Sequence, residues 1–252
     1  MRRLEIIGLD GIGEVRGGDS IGKLIHQACT RLAISLRAGD ILVVAHKIIS
    51  KAEGRIVSLA SIQPSAQALK LSRELDDKDP RVVEIVLRES RRIVRTGRGT
   101  IIVETHHGFI CANAGVDLSN VGQGQAVLLP LDPDRSAAKI SQELGSLTGA
   151  APGIIISDSF GRPWRLGTAD VALGVAGFKP LKDYRGERDS HGYELKASVT
   201  AIADEIASAA ELVMGKRDGI PVALVRGCRV EGSQGSGKEL LRPEAEDLFR
   251  HF

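Results

Sequence analysis

The chain has 252 residues, near the upper limit for one hydrophobic core, so a single large domain or two subdomains are both expected. Its 34 basic and 32 acidic side chains leave a net charge of +2, which excludes a general pull toward nucleic acid or an anionic membrane. Three scattered cysteines, no apolar run of membrane-spanning length and only 3% aromatic residues argue against a disulfide scaffold, a spanning helix and a base-stacking platform, and a cytoplasmic protein is expected.

The first expected strand is 3–7, followed by Gly11-Ile12-Gly13, where Arg16 stands in place of the third glycine of a dinucleotide fingerprint. Ser20 is the expected N-cap of a helix whose apolar positions Ile21, Leu24, Ile25, Ala28, Leu32 and Leu36 recur at helical spacing before Gly39. A buried strand at 40–45 feeds HKIISKAEGR, with Lys47 and Lys51 expected where strand meets loop. Residues 65–90 read as helical, with Asp79 as an N-cap and Pro80 in the first turn. The period then changes. Segments 92–95 and 100–105 flank Gly97-Arg98-Gly99, a hairpin signature, and a third strand at 108–112 leads into the polar loop CANAGVDLSN.

After a strand at 126–129, LDPDRSA is turn chemistry and Ser136 starts a helix to about Leu147. A strand at 153–156 delivers a second polar loop, SDSFGRPWRLG, and the apolar DVALGVAGF follows it. The stretch from Lys182 to Glu194 is the most loop-like of the chain. The longest helix is expected from near Glu194, through Val199, Ile202, Ile206, Ala209 and Val213, to Gly215. A last strand at 221–225 precedes EGSQGSGKE, read as a flexible Gly/Ser segment, and a short acidic and aromatic tail.

The two polar loops each carry an aspartate just past an apolar strand. Asp117 and Asp158, with Ser159 and Asn120 beside them, offer only oxygen donors, and hard oxygen sets favour magnesium or manganese over zinc. An Asx-turn in each loop is the alternative. His46, Lys47 and Lys51 offer a cationic rim for phosphate oxygens, against the alternative of solvated surface lysines. Arg162 and Arg165 flank Pro163-Trp164, which suits bidentate carboxylate or phosphate recognition, against an Arg stacked on the Trp. Gly232 to Lys238 matches G-x-x-x-x-G-K, yet Glu239 stands where a magnesium-binding Ser or Thr belongs. The arginines from Arg81 to Arg98 lack interleaved aromatics and read as a solvated face. His106 and His107, adjacent in an expected strand, point to opposite faces and receive no role.

Five ordered blocks resemble one known family: GDILVVAHKIISKAEGR, HGFICANAGVDLSN, LLPLDPDRSA, SDSFGRPWRLG and ADEIASAAELVMGK. The family is coenzyme F420:L-glutamate ligase, also called F420-0:gamma-glutamyl ligase, and the likeness runs from about Leu4 to Gly227. The resemblance implies an α+β fold with mixed, largely antiparallel sheets and packed helices. It also implies two interleaved subdomains within one ligase domain over 1–252, and an intertwined twofold homodimer. Some bacterial relatives fuse a flavin-reductase-like domain after the ligase, and none is expected here.

The activity implied is GTP-dependent addition of L-glutamate to coenzyme F420-0, with magnesium or manganese and assisted by potassium. The family's metal ligands fall on Asp117, Asp158 and Ser159. Its guanine-nucleotide contacts fall on Ile12, Gly13, Glu14 and Val15, on His46, Lys47, Lys51 and Asn120, and on Leu212, Val213, Met214, Gly215, Lys216, Arg217, Asp218 and Gly219. At Lys216 the chain departs from some archaeal relatives, which carry an acidic residue near a second metal. A carboxylate is a poor electrophile, so the implied reaction is split through an acyl phosphate, with Asp117, Asp158 and Lys51 as its catalytic groups. A guanine-nucleotide-binding sensor without catalysis is the alternative, and nucleic-acid binding stands third.

Overall fold

A computed structural model describes residues 3–248. Strand β1 (Glu5–Gly8) leads through a loop to helix α1 (Ile21–Arg31), whose N-cap Ser20 accepts a hydrogen bond from the Lys23 amide. The helix stops short of the expected Leu36 because Ala33 adopts a left-handed φ of 53°. Leu32, Ile34 and Leu36 still pack on the core, so their spacing marks burial without helical backbone.

Strand β2 (Ile41–Ala45) runs straight into helix α2 (His46–Ala52). The expected strand-to-loop junction at Lys47 and Lys51 is therefore two helical turns, which bury Ile48 and Ile49 against the core. Strand β3 (Ile56–Ser58), helices α3 (Ala66–Glu74) and α4 (Pro80–Arg88), the hairpin β4 (Ser90–Gly97) and β5 (Thr100–Thr105), and strands β6 (Ile110–Ala112) and β7 (Gln125–Val127) follow. Val82, Val83, Val86, Ile101, Val103 and Leu128 gather with their neighbours into an apolar cluster of this stretch's own.

Helix α5 (Pro133–Thr148) starts three residues before the expected Ser136, with Asp132 as N-cap and Pro133 in the first turn, where its missing N–H costs nothing. The second polar loop is in fact a hairpin: β8 (Gly153–Arg162) continues through Asp158 and turns back as β9 (Arg165–Ala176). Short strands β10 (Lys182–Asp183) and β11 (Val199–Thr200) pair with each other, which delays helix α6 (Ile202–Met214) beyond the expected start near Glu194. Strand β12 (Val222–Arg226) is the last.

The main sheet is ordered β1-β12-β2-β8-β9, with only β2 and β8 parallel. Leu42, Val44, Ile154, Ile156 and Leu224 face α1 and α5, while Ile41, Val43, Ile155, Ala223 and Val225 face α6. Helices on both faces explain why these strands read as continuous apolar runs. The fold is α+β with mixed, mostly antiparallel sheets. Among the described residues no helix is long and apolar enough to cross a membrane.

Within the EGSQGSGKE segment, read as flexible, Gly235 to Gly237 are packed against the fold. Ser236 and Glu239 form a capping box on a short 3-10 turn, and Asp134 accepts from Ser236 Oγ at 2.5 Å and from the Gly237 amide at 2.7 Å. A Cβ on Gly235 would lie 1.9 Å from the Phe178 carbonyl oxygen, so only glycine fits. The amide that a phosphate loop would offer is thus engaged by the protein's own carboxylate. The end of the acidic and aromatic tail lies outside the described residues.

Candidate functional site

A cavity of roughly 670 Å³ opens where the β1–α1 loop, α2, the Asp117 loop and the C-terminal end of α6 meet. Ile12, Gly13, Glu14 and Val15 line one side, and Lys47 and Lys51 project from α2. Asn120 enters from the Asp117 loop, where it holds a left-handed φ of 58°, a conformation Asn tolerates better than most residues. Met214, Gly215, Lys216, Arg217 and Gly219 close the side formed by the end of α6. Segments more than a hundred residues apart in sequence thus converge on one cavity. Leu212, Val213 and Asp218 do not line the cavity, and Leu212 is 81% exposed.

Each lysine of the cavity already has a carboxylate partner. Lys47 Nζ lies 2.6 Å from Asp117 Oδ2 and donates to Ser119 Oγ at 2.7 Å. Lys51, only 9% exposed, meets Glu14 Oε1 at 2.5 Å. Burial pushes the Asp117 carboxyl up, but the Lys47 ammonium and the Ser119 amide and hydroxyl outweigh it and leave its pKa below the usual value.

Asp158 sits within β8 and accepts from the Ser159 amide at 2.8 Å. Facing it is His46, 2% exposed, whose Nε2 stands 3.3 Å from Asp158 Oδ1 without hydrogen-bond geometry. The His46 ring, expected at the nucleotide site, is buried and lines no part of the cavity. Asp117 and Asp158 are therefore engaged by consecutive residues of one helix, Lys47 and His46. Burial, with Asp158 as a second cause, pushes the Cys111 thiol up to about 12.

A second polar group adjoins this one. The β8–β9 register sets Ser159 opposite Asp170, and Asp170, 6% exposed, accepts from Ser159 Oγ at 2.6 Å and from Ser157 Oγ at 3.1 Å. Lys216 closes the group, hydrogen-bonded to Ser159 Oγ, 3.4 Å from Asp170 Oδ1 and 3.2 Å from Glu211 Oε1. Desolvation lowers the Lys216 pKa, but Asp170 and Glu211 outweigh it and hold it above the ordinary lysine value. Asp170 and Glu211 are the site residues that sequence reasoning missed. The signal for Asp170 was an acid at the head of an apolar run, legible once the hairpin register pairs it with Ser159.

Arg162 and Arg165 occupy the turn of the β8–β9 hairpin, outside the cavity lining, and Arg162 Nη2 donates to the Leu166 carbonyl at 2.6 Å. His106 and His107 stand in a turn and bind the carbonyls of Arg88 and Pro130 at 2.9 and 2.8 Å. The expectation that they lie in a strand is overturned, because Gly108 turns the chain there with a φ of 97°. Arg81, Arg88, Arg91 and Arg92 are exposed and pair with Asp79 and with the buried Glu84 and Glu104.

The model of the F420-0:Gamma-glutamyl ligase family matches residues 11–227. The chain is 46% identical over 253 residues to the Coenzyme F420:L-glutamate ligase of Methanocaldococcus jannaschii, covering 99% of this chain and 98% of that one. It is 48% identical over 250 residues to the protein of that name from Methanothermobacter thermautotrophicus, covering 98% and 99%. A third, from Methanopyrus kandleri, is 45% identical over 242 residues, covering 94% of each chain. A match of this length, spanning the segments that build the cavity, makes the chain a member of the F420-0:gamma-glutamyl ligase family.

Proposed function

We propose that the protein joins L-glutamate to coenzyme F420-0 at the expense of GTP, through an acyl phosphate. The observation that carries this reading is the cavity in which Lys47, Lys51 and Lys216 converge beside Asp117 and Asp170, a charge pattern suited to a triphosphate with its cation. The names of the relatives supply the glutamate and the coenzyme.

In this reading Asp117, Asp158 and Ser159 hold a magnesium or manganese ion. Among the described residues no three His, Cys, Asp or Glu side chains form a cage. That fits these hard cations, which are commonly held by one or two carboxylates and complete their shell with water and substrate phosphates. When bound, the ion supplies charge neutralisation to the phosphate oxygens. Asp170 and Glu211 already hold the Lys216 ammonium, and Ser159 Oγ exchanges its contact with that ammonium for the ion, so one divalent ion at the Asp117 and Asp158 end is the expected complement.

The terminal carboxylate oxygen of the coenzyme bonds to the γ-phosphorus of GTP while the bond to the bridging oxygen breaks, releasing GDP. The glutamate amine then bonds to the acyl carbon, phosphate departs, and the nitrogen gives up a proton to solvent. Lys51 and Lys47 stabilise the charge that builds on phosphate oxygens, the electrostatic contribution that dominates reactions of this class. Arg162 and Arg165, outside the cavity lining of their own chain, are assigned the glutamate carboxylates across the homodimer, and potassium assists. The protein acts as a homodimer, a reading supported by Trp164 and Leu166 at the hairpin turn, 80% and 97% exposed.

Mass spectrometry of F420-0 incubated with GTP, L-glutamate and manganese tests the proposal. A product heavier by one glutamyl residue, formed with one GDP, is expected. GTP binding without glutamate-dependent and coenzyme-dependent phosphate release would replace the ligase with the sensor. Light scattering decides the dimer, and sodium in place of potassium tests the monovalent ion.

A further inference from the structure

The His46 ring is a buried group at this site whose chemistry the proposed reaction does not use. It lies under the cavity floor, 2% exposed, between Ser50, which is fully buried, and Asp158. Nδ1 is 3.4 Å from Ser50 Oγ, and Nε2 is 3.3 Å from Asp158 Oδ1. Nε2 is a buried polar atom without a hydrogen bond, and a carboxylate oxygen stands just beyond good alignment. Native proteins rarely leave such atoms unsatisfied, and one that persists beside a reactive carboxylate calls for an explanation.

Three facts narrow it. The ring does not line the cavity, whereas its neighbours Ala45 and Lys47 do. Asp158 Oδ1 already accepts from the Ser159 amide at 2.8 Å, so one oxygen is fixed from the strand side and lacks a donor only from the helix side. At 3.3 Å Nε2 and Oδ1 are already within hydrogen-bond distance and lack only alignment, and hydrogen bonds at such sites commonly tighten only when the ligand is in place.

We propose that His46 is the positioning residue of Asp158. In the Nε2–H tautomer, with Nδ1 accepting from the Ser50 hydroxyl, it donates to Oδ1 and leaves Oδ2 directed at the cation. The arrangement follows the rule that carboxylates ligating a metal are themselves held by outer hydrogen bonds, whose loss costs about 10- to 100-fold in metal affinity. This rests on the reading of Asp158 as a metal ligand, and the test separates the two.

Manganese binding is titrated by electron paramagnetic resonance, with and without saturating GDP, for wild type, Asp158→Asn, His46→Leu and His46→Gln, with melting curves for each. The expected result is a loss of manganese affinity of about 10- to 100-fold in His46→Leu at nearly unchanged melting temperature. His46→Gln, which restores a donor toward Oδ1, returns the affinity to within about threefold of wild type, a recovery that a purely structural role would not produce. Nitrogen-15 NMR of the metal-free protein should show the Nε2–H tautomer. A ring protonated only on Nδ1, or wild-type manganese affinity in His46→Leu while Asp158→Asn loses it, overturns the positioning role alone. Unchanged affinity in Asp158→Asn, or no manganese binding by wild type in either condition, overturns the metal reading and this proposal together.

Discussion

Asp117→Asn separates charge from shape at one atom pair. Asparagine keeps an oxygen to accept from the Ser119 amide, which donates to Asp117 Oδ1 at 2.7 Å, and gives up the negative charge facing Lys47 together with the Oδ2 that accepts from Ser119 Oγ at 3.0 Å. The side chains of Asp117 and Lys47 are 39% and 21% exposed, so water screens the pair, and its loss is worth about 0.2–1 kcal/mol. For a chain of this size that is a fall in melting temperature of roughly 4 °C at most. The cost to catalysis is larger, because charge placement is the main contribution assigned to this site: about 10²- to 10³-fold in turnover, or roughly 3–4 kcal/mol. Glutamate- and coenzyme-dependent GDP release is measured beside a melting curve. GDP release within about threefold of wild type removes Asp117 from the reaction, by the convention that tenfold is about 1.4 kcal/mol. A melting point lowered by well over 10 °C would instead make Asp117 a structural residue.

Arg226→Met strands Asp40, 2% exposed, which Arg226 holds through Nε at 2.8 Å and Nη2 at 2.6 Å; the cost is about 3–5 kcal/mol, read as a melting point lower by roughly 6–20 °C. A drop under about 3 °C would mean that water reaches Asp40. Gly235→Ala puts a methyl group against the Phe178 carbonyl and should cost about 1–3 kcal/mol, whereas a flexible segment would show no change in the same melt. The Lys216 pKa stands above its unfolded value, so the stability it contributes is full below the unfolded value of about 10.4 and is lost as pH rises through the folded one. The gap in melting temperature between wild type and Lys216→Met should hold from neutral pH to about pH 10 and close above it; a gap that widens there contradicts the assignment.

The sheet was legible wherever burial follows a simple period. Leu42, Val44, Ile154 and Ile156 lie on one face and Ile41, Val43 and Ile155 on the other, and a strand covered on both sides announces itself as an unbroken apolar run. Helix ends were less legible. The start of α5 was hidden because Pro133 serves turns and first helical turns equally, and the end of α1 because Leu32 and Leu36 are buried whether or not the backbone is helical. The Asp158 loop was misread for a reason of distance: β8 remains in strand through polar residues because β9 pairs with it as far as Arg162, and a local reading cannot see the partner. The same blindness hid Asp170, which becomes a site residue only through its register with Ser159. The burial of His46 likewise depends on strand β8 passing beneath α2, and nothing in HKIISKA encodes that.

The pairing of the cavity's lysines sets the final expectation. Lys47 is held by Asp117, Lys51 by Glu14, and Lys216 by Asp170 and Glu211, so the cavity is close to neutral although lined with cations. A triphosphate that entered alone would draw these ammonium groups away and leave Asp117 and the buried Asp170 facing added negative charge. Breaking an ion pair around a buried carboxylate is far costlier than dissolving an exposed one. Nucleotide should therefore bind well only with a divalent ion that compensates the displaced lysines, and calorimetry with GDP should give an affinity at least about tenfold weaker in EDTA than in manganese, a difference of roughly 1.4 kcal/mol. Lys216→Met should not abolish this dependence, because the pair formed by Lys47 and Asp117 stays intact. Equal affinity in EDTA and manganese would mean that the lysines leave their carboxylates at no cost, and the electrostatic account of the site would then fail at its first step.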